Sequence, residues 1–368
     1  MEKRTKQLIL GLRWLLIIPA TYFLTLLASA NPMSVERVYS GAIYKFVSST
    51  IPFQYIPFVS FFEIFMLLAP IVLLVCFIIF IVRLVRNRQN RLWRVLEAVR
   101  KILILCGAVY FLFYFCWGLN YYRLPYSEIA GLPLAPSSTS ELRELCTSLI
   151  GRTNEARALL PSAEDSTLDL PLSAADLQSR MRVAYSKADE DAIHGIRALI
   201  ASPKPLLCSR FFSYMGITGI YIPFTSESNY NDDIPMPLKG ATVCHELAHR
   251  QGFAREDEAN FIAYLVCINA TDGYLNYSGL LLATIHSMNK LYERDRESFN
   301  ELYTLYSYEV AADLNAERIY WRAHSGYIEE AATRINDSYL KSNNLTDGVE
   351  SYGRMVDLLL ALQRQENQ

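Results

Sequence analysis

Three long apolar stretches dominate the first third of the chain, and few charged residues interrupt them. They cover residues 8–30, 61–82 and 102–122. A helix of about 20 apolar residues crosses the hydrocarbon core of a bilayer, whereas a buried helix of a soluble protein is usually shorter and keeps a polar face. Arg13, inside the first stretch, can extend its charged group to the membrane interface. The pattern predicts three membrane-spanning helices.

A fourth apolar run, Phe46 to Phe62, lies between the first two predicted spans. Pro52 and Pro57 interrupt it, and proline breaks the interior of a helix. We therefore expect an interfacial or re-entrant segment here rather than a fourth span. The number of spans then stays odd, so the chain ends on the side of the membrane opposite to the one where it begins.

After the third predicted span, the pattern is that of a water-exposed domain that begins with helices. Serine and threonine at residues 137–140 precede Glu141, and Ser or Thr with Glu three residues later forms a capping box, which begins helices. The first predicted helix begins within residues 137–140 and ends near Leu159. A second helix is predicted from Ser173 or Asp176 to about Ala201.

The remaining chain contains one strand-like segment and then more helices. Phe211 to Tyr230 is rich in Tyr, Ile and Phe and has glycines at positions 216 and 219, which predicts one or two short strands with a turn. The pattern then stays helical almost to the end of the chain. Breaks are predicted near Gly252, Asp272–Gly273, Asn336–Asp337 and residues 343–348.

The formal net charge of −2 conceals an uneven distribution. Residues 1–119 carry a balance of +9, and residues 120–368 carry a balance of −11. An acidic exposed part repels phosphate, so the charge argues against a nucleic-acid-binding protein. The chain instead combines an apolar, basic membrane region, residues 1–122, with an acidic domain, residues 123–368.

Basic residues are concentrated at the N-terminus and between the second and third predicted spans. They are Lys3, Arg4, Lys6, Arg83, Arg86, Arg88, Arg91, Arg94, Arg100 and Lys101. Because such residues stay on the cytoplasmic side of spans, we expect a cytoplasmic N-terminus and a C-terminal domain outside the cytoplasmic membrane. Ala28-Ser29-Ala30 also resembles a signal-peptidase site. Cleavage there would remove the first span and leave the other two in the same orientation; we favour an uncleaved anchor.

The segment Lys239 to Cys267, KGATVCHELAHRQGFAREDEANFIAYLVC, carries the residues of a candidate metal site. His245-Glu246-Leu247-Ala248-His249 has the pattern H-E-x-x-H. On a helix, the two histidines lie one turn apart on one face, which suits two ligands of a tetrahedral Zn²⁺. Glu246 lies beside the first ligand and can accept a proton from metal-bound water. Two of the five histidines of the chain lie in this motif, which favours a shared role.

A carboxylate that follows the histidine pair is the expected third ligand. Gly252 ends or bends the helix, and Glu256-Asp257-Glu258-Ala259-Asn260 follows at the start of the next one. This E-x-x-A-N element resembles the one that follows H-E-x-x-H in glutamate-type zinc peptidases, where the glutamate binds zinc and the residue four later can hydrogen-bond a ligand histidine. The likeness implies Glu256 as ligand and Asn260 as that hydrogen-bonding partner. Glu258 stays the alternative, because the intervening loop is shorter than in many such enzymes.

Gly219 to Phe224 predicts a short strand near this site. Zinc peptidases place an edge strand above the cleft, and an extended peptide adds to such a strand through backbone hydrogen bonds. An ordinary core strand is the equally open alternative.

Over most of its length the chain resembles a family of bacterial membrane proteins known as domain of unknown function 3810. The resemblance lies in the spans and in three segments: WGLNYYR at 117–123, HELAHRQGFAREDEANF at 245–261 and NDSYLKSNNLTDGVESYGRM at 336–355. The chain also resembles the zincin-type metallopeptidases through His245, Glu246, His249 and the E-x-x-A-N element. The first resemblance implies the organisation of the chain, and the second implies a mechanism.

Together these observations predict a mainly α protein, with three N-terminal transmembrane helices followed by an α+β zincin-like domain that has a small sheet and an active-site helix. The expected function is that of a membrane-anchored zinc endopeptidase, with Zn²⁺ held by His245, His249 and Glu256 and with Glu246 as the base. Its expected partners are the lipid bilayer and a peptide or protein substrate of the cell envelope. The alternative is a catalytically silent, membrane-anchored binding or scaffold protein with a zincin-like fold, against which the intact Glu246 argues.

Overall fold

The computed structural model describes residues 11–198, 201–345, 348 and 353–367. The chain is mainly helical, has one small sheet, and divides into two compact units. The first unit comprises the chain up to Thr50 together with Phe61–Arg123, and the second comprises Ile51–Ser60 together with the chain from Leu124 onward. The hydropathy pattern placed residues 51–60 in the membrane region, but the structure groups them with the C-terminal domain.

The described part of the first unit is helical. Its elements are a 3₁₀ turn at Arg13–Leu16, α1 (Ile17–Ala30), α2 (Pro32–Ser34), a π-helix at Val35–Ile43, α3 (Tyr44–Thr50), α4 (Phe61–Arg86), a 3₁₀ turn at Arg88–Asn90, α5 (Arg91–Cys116) and a 3₁₀ turn at Gly118–Tyr122. Among the residues that the structure describes, three helical stretches are long and apolar enough to cross a membrane: Arg13–Ala30, Phe61–Arg86 and Arg88–Cys116. This confirms the prediction of three apolar helices near the N-terminus, although residues 8–10 of the first lie outside the described residues.

The third apolar helix ends at Cys116, whereas the hydropathy pattern predicted an end near residue 122. At Trp117 the backbone leaves the helix with φ −155°, and the next residues form a buried 3₁₀ turn. Asn120 in this turn accepts a hydrogen bond from Ser40 Oγ at 2.8 Å. The aromatic residues Trp117 and Tyr121 after the helix therefore contribute to the interior of the first unit, because both are buried.

The second unit contains most of the elements of the chain. Its helices are α6 (Tyr126–Ile129), α7 (Thr139–Ala158), α8 (Ala174–Glu190), α9 (Ser209–Ser213), α10 (Met236–Arg250), α11 (Glu256–Asn269), α12 (Gly273–Arg294), α13 (Arg296–Tyr303), α14 (Tyr308–His324), α15 (Tyr327–Ser342) and α16 (Met355–Glu366), with a 3₁₀ turn at Pro52–Tyr55. Its strands are β1 (Lys204–Pro205), β2 (Gly219–Ile222) and β3 (Glu227–Tyr230).

The sheet has the order β1-β3-β2, with β1 parallel and β2 antiparallel to β3. Gly219 pairs with Tyr230 and Ile222 pairs with Glu227, so β2 and β3 form a hairpin. The small strand element predicted from residues 211–230 is thereby confirmed. Strand β3 lies in the centre of the sheet, and β2 is an edge strand among the described residues.

The core of the second unit consists of α10, α11 and α12, which pack against one another. Helix α7 packs on α12, and α16 closes the core from the C-terminal end. Apolar residues at helical spacing, among them Val243, Leu247, Phe261 and Leu275, are fully buried in this layer. Helix α10, which carries the H-E-x-x-H motif, is thus a central element with one apolar face in the core.

Two predicted boundaries in the second unit are wrong. The helix predicted to reach residue 201 ends at Glu190, because Ala192 and Gly195 adopt positive φ angles of 55° and 77°, which a right-handed helix does not allow. The break predicted at Asn336–Asp337 does not exist: α15 passes through it, and Asp337 pairs with Lys341 one turn later at 2.8 Å.

Candidate metal centre

Helix α10 presents both histidines of the motif on one face. Residues 245 and 249 are one turn apart, and their rings lie 4.6 Å apart at a steep angle of 89°. On the other face, Val243, Cys244 and Leu247 are fully buried and fix the rotation of the helix in the core. The imidazoles therefore point away from the core toward the sheet and the start of α11.

A tight reversal after α10 brings the next helix back to the histidines. Gly252 has φ 93°, a conformation that a side chain would strain, and its N–H donates to His249 O at 2.8 Å. Phe253 is fully buried and fixes this turn in the core. Helix α11 then begins at Glu256, so the first residue of one helix lies opposite the last turn of another.

The structure brings His245, His249 and Glu256 together, with their ligand atoms all within 4.8 Å of one another. Glu256 Oε2 lies 3.1 Å from His245 Nε2 and 3.5 Å from His249 Nε2. Burial raises the pKa of Glu256, but the two adjacent histidines outweigh it and lower that pKa below its ordinary value. The carboxylate is thus ionised and faces both Nε2 atoms.

The Nδ1 atom of each histidine lies within hydrogen-bonding distance of an oxygen atom. His245 Nδ1 lies 2.7 Å from Asn260 Oδ1, and His249 Nδ1 lies 2.7 Å from the carbonyl oxygen of Phe253. Since a carbonyl oxygen only accepts, each Nδ1 donates a hydrogen bond to its partner, and Nε2, on the side of Glu256, is the atom that would bind a metal ion after losing its own proton. Two imidazole lone pairs and one carboxylate are a donor set that fits Zn²⁺.

Glu246 lies beside this group and against strand β2. It is 5% exposed, and burial raises its pKa to about 7. The backbone N–H of Tyr221 donates to its carboxylate, while Oε2 is buried with no hydrogen-bond partner among the described residues. An acid with a pKa near neutrality and an unpaired buried oxygen can exchange a proton with a substrate or a water molecule.

Gly219 explains how the strand can lie so close to Glu246. A Cβ atom at this position would be 2.6 Å from both Cγ and Oε1 of Glu246, which is far below any contact between such atoms. Only glycine therefore allows β2 to approach the carboxylate at this point. The sequence pattern marked Gly219 as part of a strand but carried no signal that its missing side chain shapes the site.

Glu258, the alternative third ligand, lies outside the group and has a structural role. Its Oε1 accepts hydrogen bonds from the backbone N–H of Tyr126 and from Arg255 Nη1, both at 2.8 Å. Two steps along a helix turn a side chain by about 200°, so Glu256 and Glu258 point to opposite sides of α11.

Sequence reasoning missed further residues around the centre. Ser228 Oγ donates to the backbone carbonyl of Glu246 at 2.8 Å and links β3 to α10. His286 on α12, which lies outside any sequence motif, has its pKa lowered to about 4, first by burial and second by the charge of His245. No local motif could have marked either residue, because both reach the site only through tertiary packing.

The chain belongs to the family described as protein of unknown function (DUF3810), whose model matches residues 39–360. No curated protein and no solved structure matches the chain.

Proposed function

We propose that this protein is a membrane-anchored zinc metallopeptidase of the zincin type. The observation that carries the proposal is the convergence of His245, His249 and Glu256 within 4.8 Å, with Glu246 beside them at the edge of a small sheet. The three ligand candidates come from two helices joined by a tight turn, which is a compact way to hold a metal ion. Glu246 supplies the acid–base group that a purely structural metal site does not need.

When bound to the two histidines and Glu256, Zn²⁺ supplies a Lewis acid that polarises a carbonyl oxygen and lowers the pKa of water. Asn260 and the Phe253 carbonyl orient the histidines for this task. Glu246 takes a proton from the attacking water and can pass it to the leaving amine of the cleaved peptide bond. Its raised pKa, about 7, suits both transfers near neutral pH.

Strand β2 supports a peptide as the substrate class. It is the edge strand of the sheet, and its residue Tyr221 contacts Glu246 through the backbone. An extended peptide that adds to this edge passes beside the carboxylate and the metal ligands. Backbone hydrogen bonds position the scissile bond without contacting the side chains of the peptide. We therefore expect different side chains to be accepted at most positions of the substrate.

Two observations support a site outside the cytoplasmic membrane. The second unit combines Ile51–Ser60 with the chain from Leu124 onward, and the two candidate spans α4 and α5 lie between these segments. Two crossings return a chain to the side that it left. Because the basic residues that connect α4 and α5 favour the cytoplasm, the second unit is then on the outer side.

The proposal is tested with Glu246→Gln in the purified full-length protein. We expect zinc content, measured by elemental mass spectrometry, to stay at the wild-type level, because Glu246 is not among the ligands. Turnover of a library of fluorogenic peptides should fall by about 10²- to 10⁴-fold, the usual contribution of a general base. Glu144→Gln, on the exposed surface of α7, is the matched control and should retain full activity.

Two results would contradict the proposal. Cleavage by Glu246→Gln at the wild-type rate would remove the base from the mechanism. A wild-type protein that binds zinc stoichiometrically but cleaves no peptide in the library and no cell-envelope protein would instead favour a binding or scaffold protein.

A further inference from the structure

The segment Ile51–Ser60, here called the strap, belongs to the second unit although it is joined at both ends to helices of the first. It contains the 3₁₀ turn Pro52–Tyr55. Gln54 is 1% exposed and Ser60 is 2% exposed. A polar side chain as deeply buried as Gln54 needs a partner to offset its lost hydration.

That partner is Arg250, the last residue of α10 and the neighbour of the metal-ligand candidate His249. Arg250 Nε donates to Gln54 Oε1 at 3.0 Å, and Arg250 Nη2 donates to the same oxygen. Arg250 is only 9% exposed, so the contact also gives its buried charge a hydrogen-bond acceptor in place of water. The side chain of the strap thus fixes the C-terminal end of the helix that carries both histidines.

A second buried cation fixes the two ends of the strap. Lys204 Nζ donates to the carbonyl of Phe53 at 2.7 Å, to the carbonyl of Val59 at 2.8 Å and to the carboxylate of Glu227. Lys204 and Glu227 are both fully buried, at 0% and 1% exposure. An ammonium group that satisfies all three of its donors in this way holds the strap in one conformation.

Strand β3 links the contact between Lys204 and Glu227 to the backbone of Glu246. Glu227 and Ser228 are consecutive in β3, and Ser228 Oγ donates to the backbone carbonyl of Glu246. The strap therefore reaches α10 by two independent routes. One runs through Gln54 to Arg250 at the C-terminal end of the helix, and the other runs through Lys204 and β3 to the middle of the helix.

We propose that the strap is a structural part of the metal centre and that Gln54 is a positioning residue for it. Gln54 acts through Arg250, which holds the last turn of α10 where His249 faces Glu256. Zinc affinity and peptide cleavage then depend on a side chain that lies between two membrane-span candidates, far in sequence from the H-E-x-x-H motif. The inference rests on the proposed function for the identity of the metal.

The experiment uses the full-length protein and the variants Gln54→Met, Gln54→Glu and Tyr55→Ala. Gln54→Met keeps the size of the side chain but removes the oxygen acceptor, and we expect a roughly tenfold lower zinc affinity in competition with a chelator, the lower end of what loss of a supporting partner costs. Gln54→Glu keeps an acceptor for Arg250 and should restore affinity to within about threefold of wild type. Tyr55→Ala, an exposed position of the same turn, should leave affinity unchanged.

Melting temperatures of the zinc-free variants distinguish an effect of Gln54 on the position of His249 from an effect on the stability of the whole fold. If Gln54→Met lowers the melting temperature but binds zinc as tightly as wild type, or if Gln54→Glu does not restore the affinity, the proposal is overturned. Should Gln54→Met not fold, Arg250→Lys, which keeps the charge but not the two-donor contact, must show the same loss of affinity. Zinc binding is read without turnover, so a protein that binds zinc but cleaves nothing contradicts the proposed function and not the role of Gln54.

Discussion

At the scale of single residues, Glu256 and Glu258 lie only two positions apart on one helix, yet they contact different partners. Both are nearly buried and both lie in the first turn of α11. Glu256 faces the two histidines, and Glu258 faces Arg255 and the backbone of Tyr126. Sequence patterns could list both as ligand candidates, but only the direction in which α11 returns to α10 distinguishes them.

Zinc binding by Glu256→Gln and Glu258→Gln tests this distinction. We expect Glu256→Gln to lose zinc affinity by more than about 100-fold, because removal of a ligand costs more than removal of a supporting partner. Glu258→Gln should bind zinc within about threefold of wild type, while its free energy of unfolding falls by about 1–3 kcal/mol, because partly buried Arg255 loses a charged acceptor. Metal titration and denaturant unfolding of both variants provide the measurement, and a reversed pattern would make Glu258 the ligand.

At the scale of elements, helix α14 carries two carboxylates one helical turn apart, Asp313 and Glu317, on the side that faces the interior of the second unit. Asp313 is fully buried and accepts from Arg157 Nε and Tyr277 Oη, whereas Glu317 accepts only from Trp321 Nε1 and leaves Oε2 without a partner among the described residues. Burial raises the pKa of Glu317 to about 7, and nearby Asp313 adds to the effect. The first carboxylate thus has hydrogen-bond partners, and the second keeps its proton up to about pH 7.

Glu317 makes stability depend on pH in a direction that can be measured. An unfolded chain releases the Glu317 proton near pH 4.5, but the folded chain keeps it to about pH 7, so the unfolded state binds fewer protons and stability falls as pH rises between these values. We expect the stability of Glu317→Gln relative to wild type to increase by about 1–2 kcal/mol from pH 5 to pH 8. Denaturant unfolding at both pH values measures this; a difference that stays constant with pH would show that Glu317 is ionised in the folded protein.

Elements differ in how far the sequence determines them. The capping box at Ser138 and Glu141 marks the start of α7 through local hydrogen bonds, and the observed start at Thr139 lies within the predicted residues 137–140. Helix α8 was predicted too long, because the positive φ angles of Ala192 and Gly195 come from a turn that packs Gly195 against Phe253. Local chemistry can be read from the sequence, whereas turns that tertiary contacts impose cannot.

The same limit applies to the metal centre. Spacing along one helix places His245, Glu246 and His249 together, and the E-x-x-A-N likeness points to Glu256 and Asn260. The roles of Gly219, Ser228 and Gln54 depend on segments that meet α10 only in the folded chain. They have no fixed sequence distance from the motif, so no pattern could have assigned them.

At the scale of the whole molecule, the charge asymmetry and the two units support one arrangement across a membrane. In the proposed orientation, the basic connection between α4 and α5 lies in the cytoplasm and the acidic second unit lies on the other side of the membrane. Reporter fusions in a bacterial host test this directly. A fluorescent-protein reporter fused at Asn87 should fluoresce, and a phosphatase reporter at the same position should be inactive. A phosphatase reporter fused after Asn367 should be active. The opposite pattern would reverse the orientation and place the metal centre in the cytoplasm.

The strap also limits where such an enzyme can work. A protease that cut the chain after Arg123 would separate most of the second unit from the first, but residues 51–60 would stay covalently joined to the helices of the first unit. Once separated from residues 51–60, the released fragment would lack the acceptor for Arg250, so we expect it to bind zinc about tenfold more weakly, as for Gln54→Met. If the protein is the proposed peptidase, it would then bind zinc most tightly while the chain is intact and would act on proteins near the membrane surface.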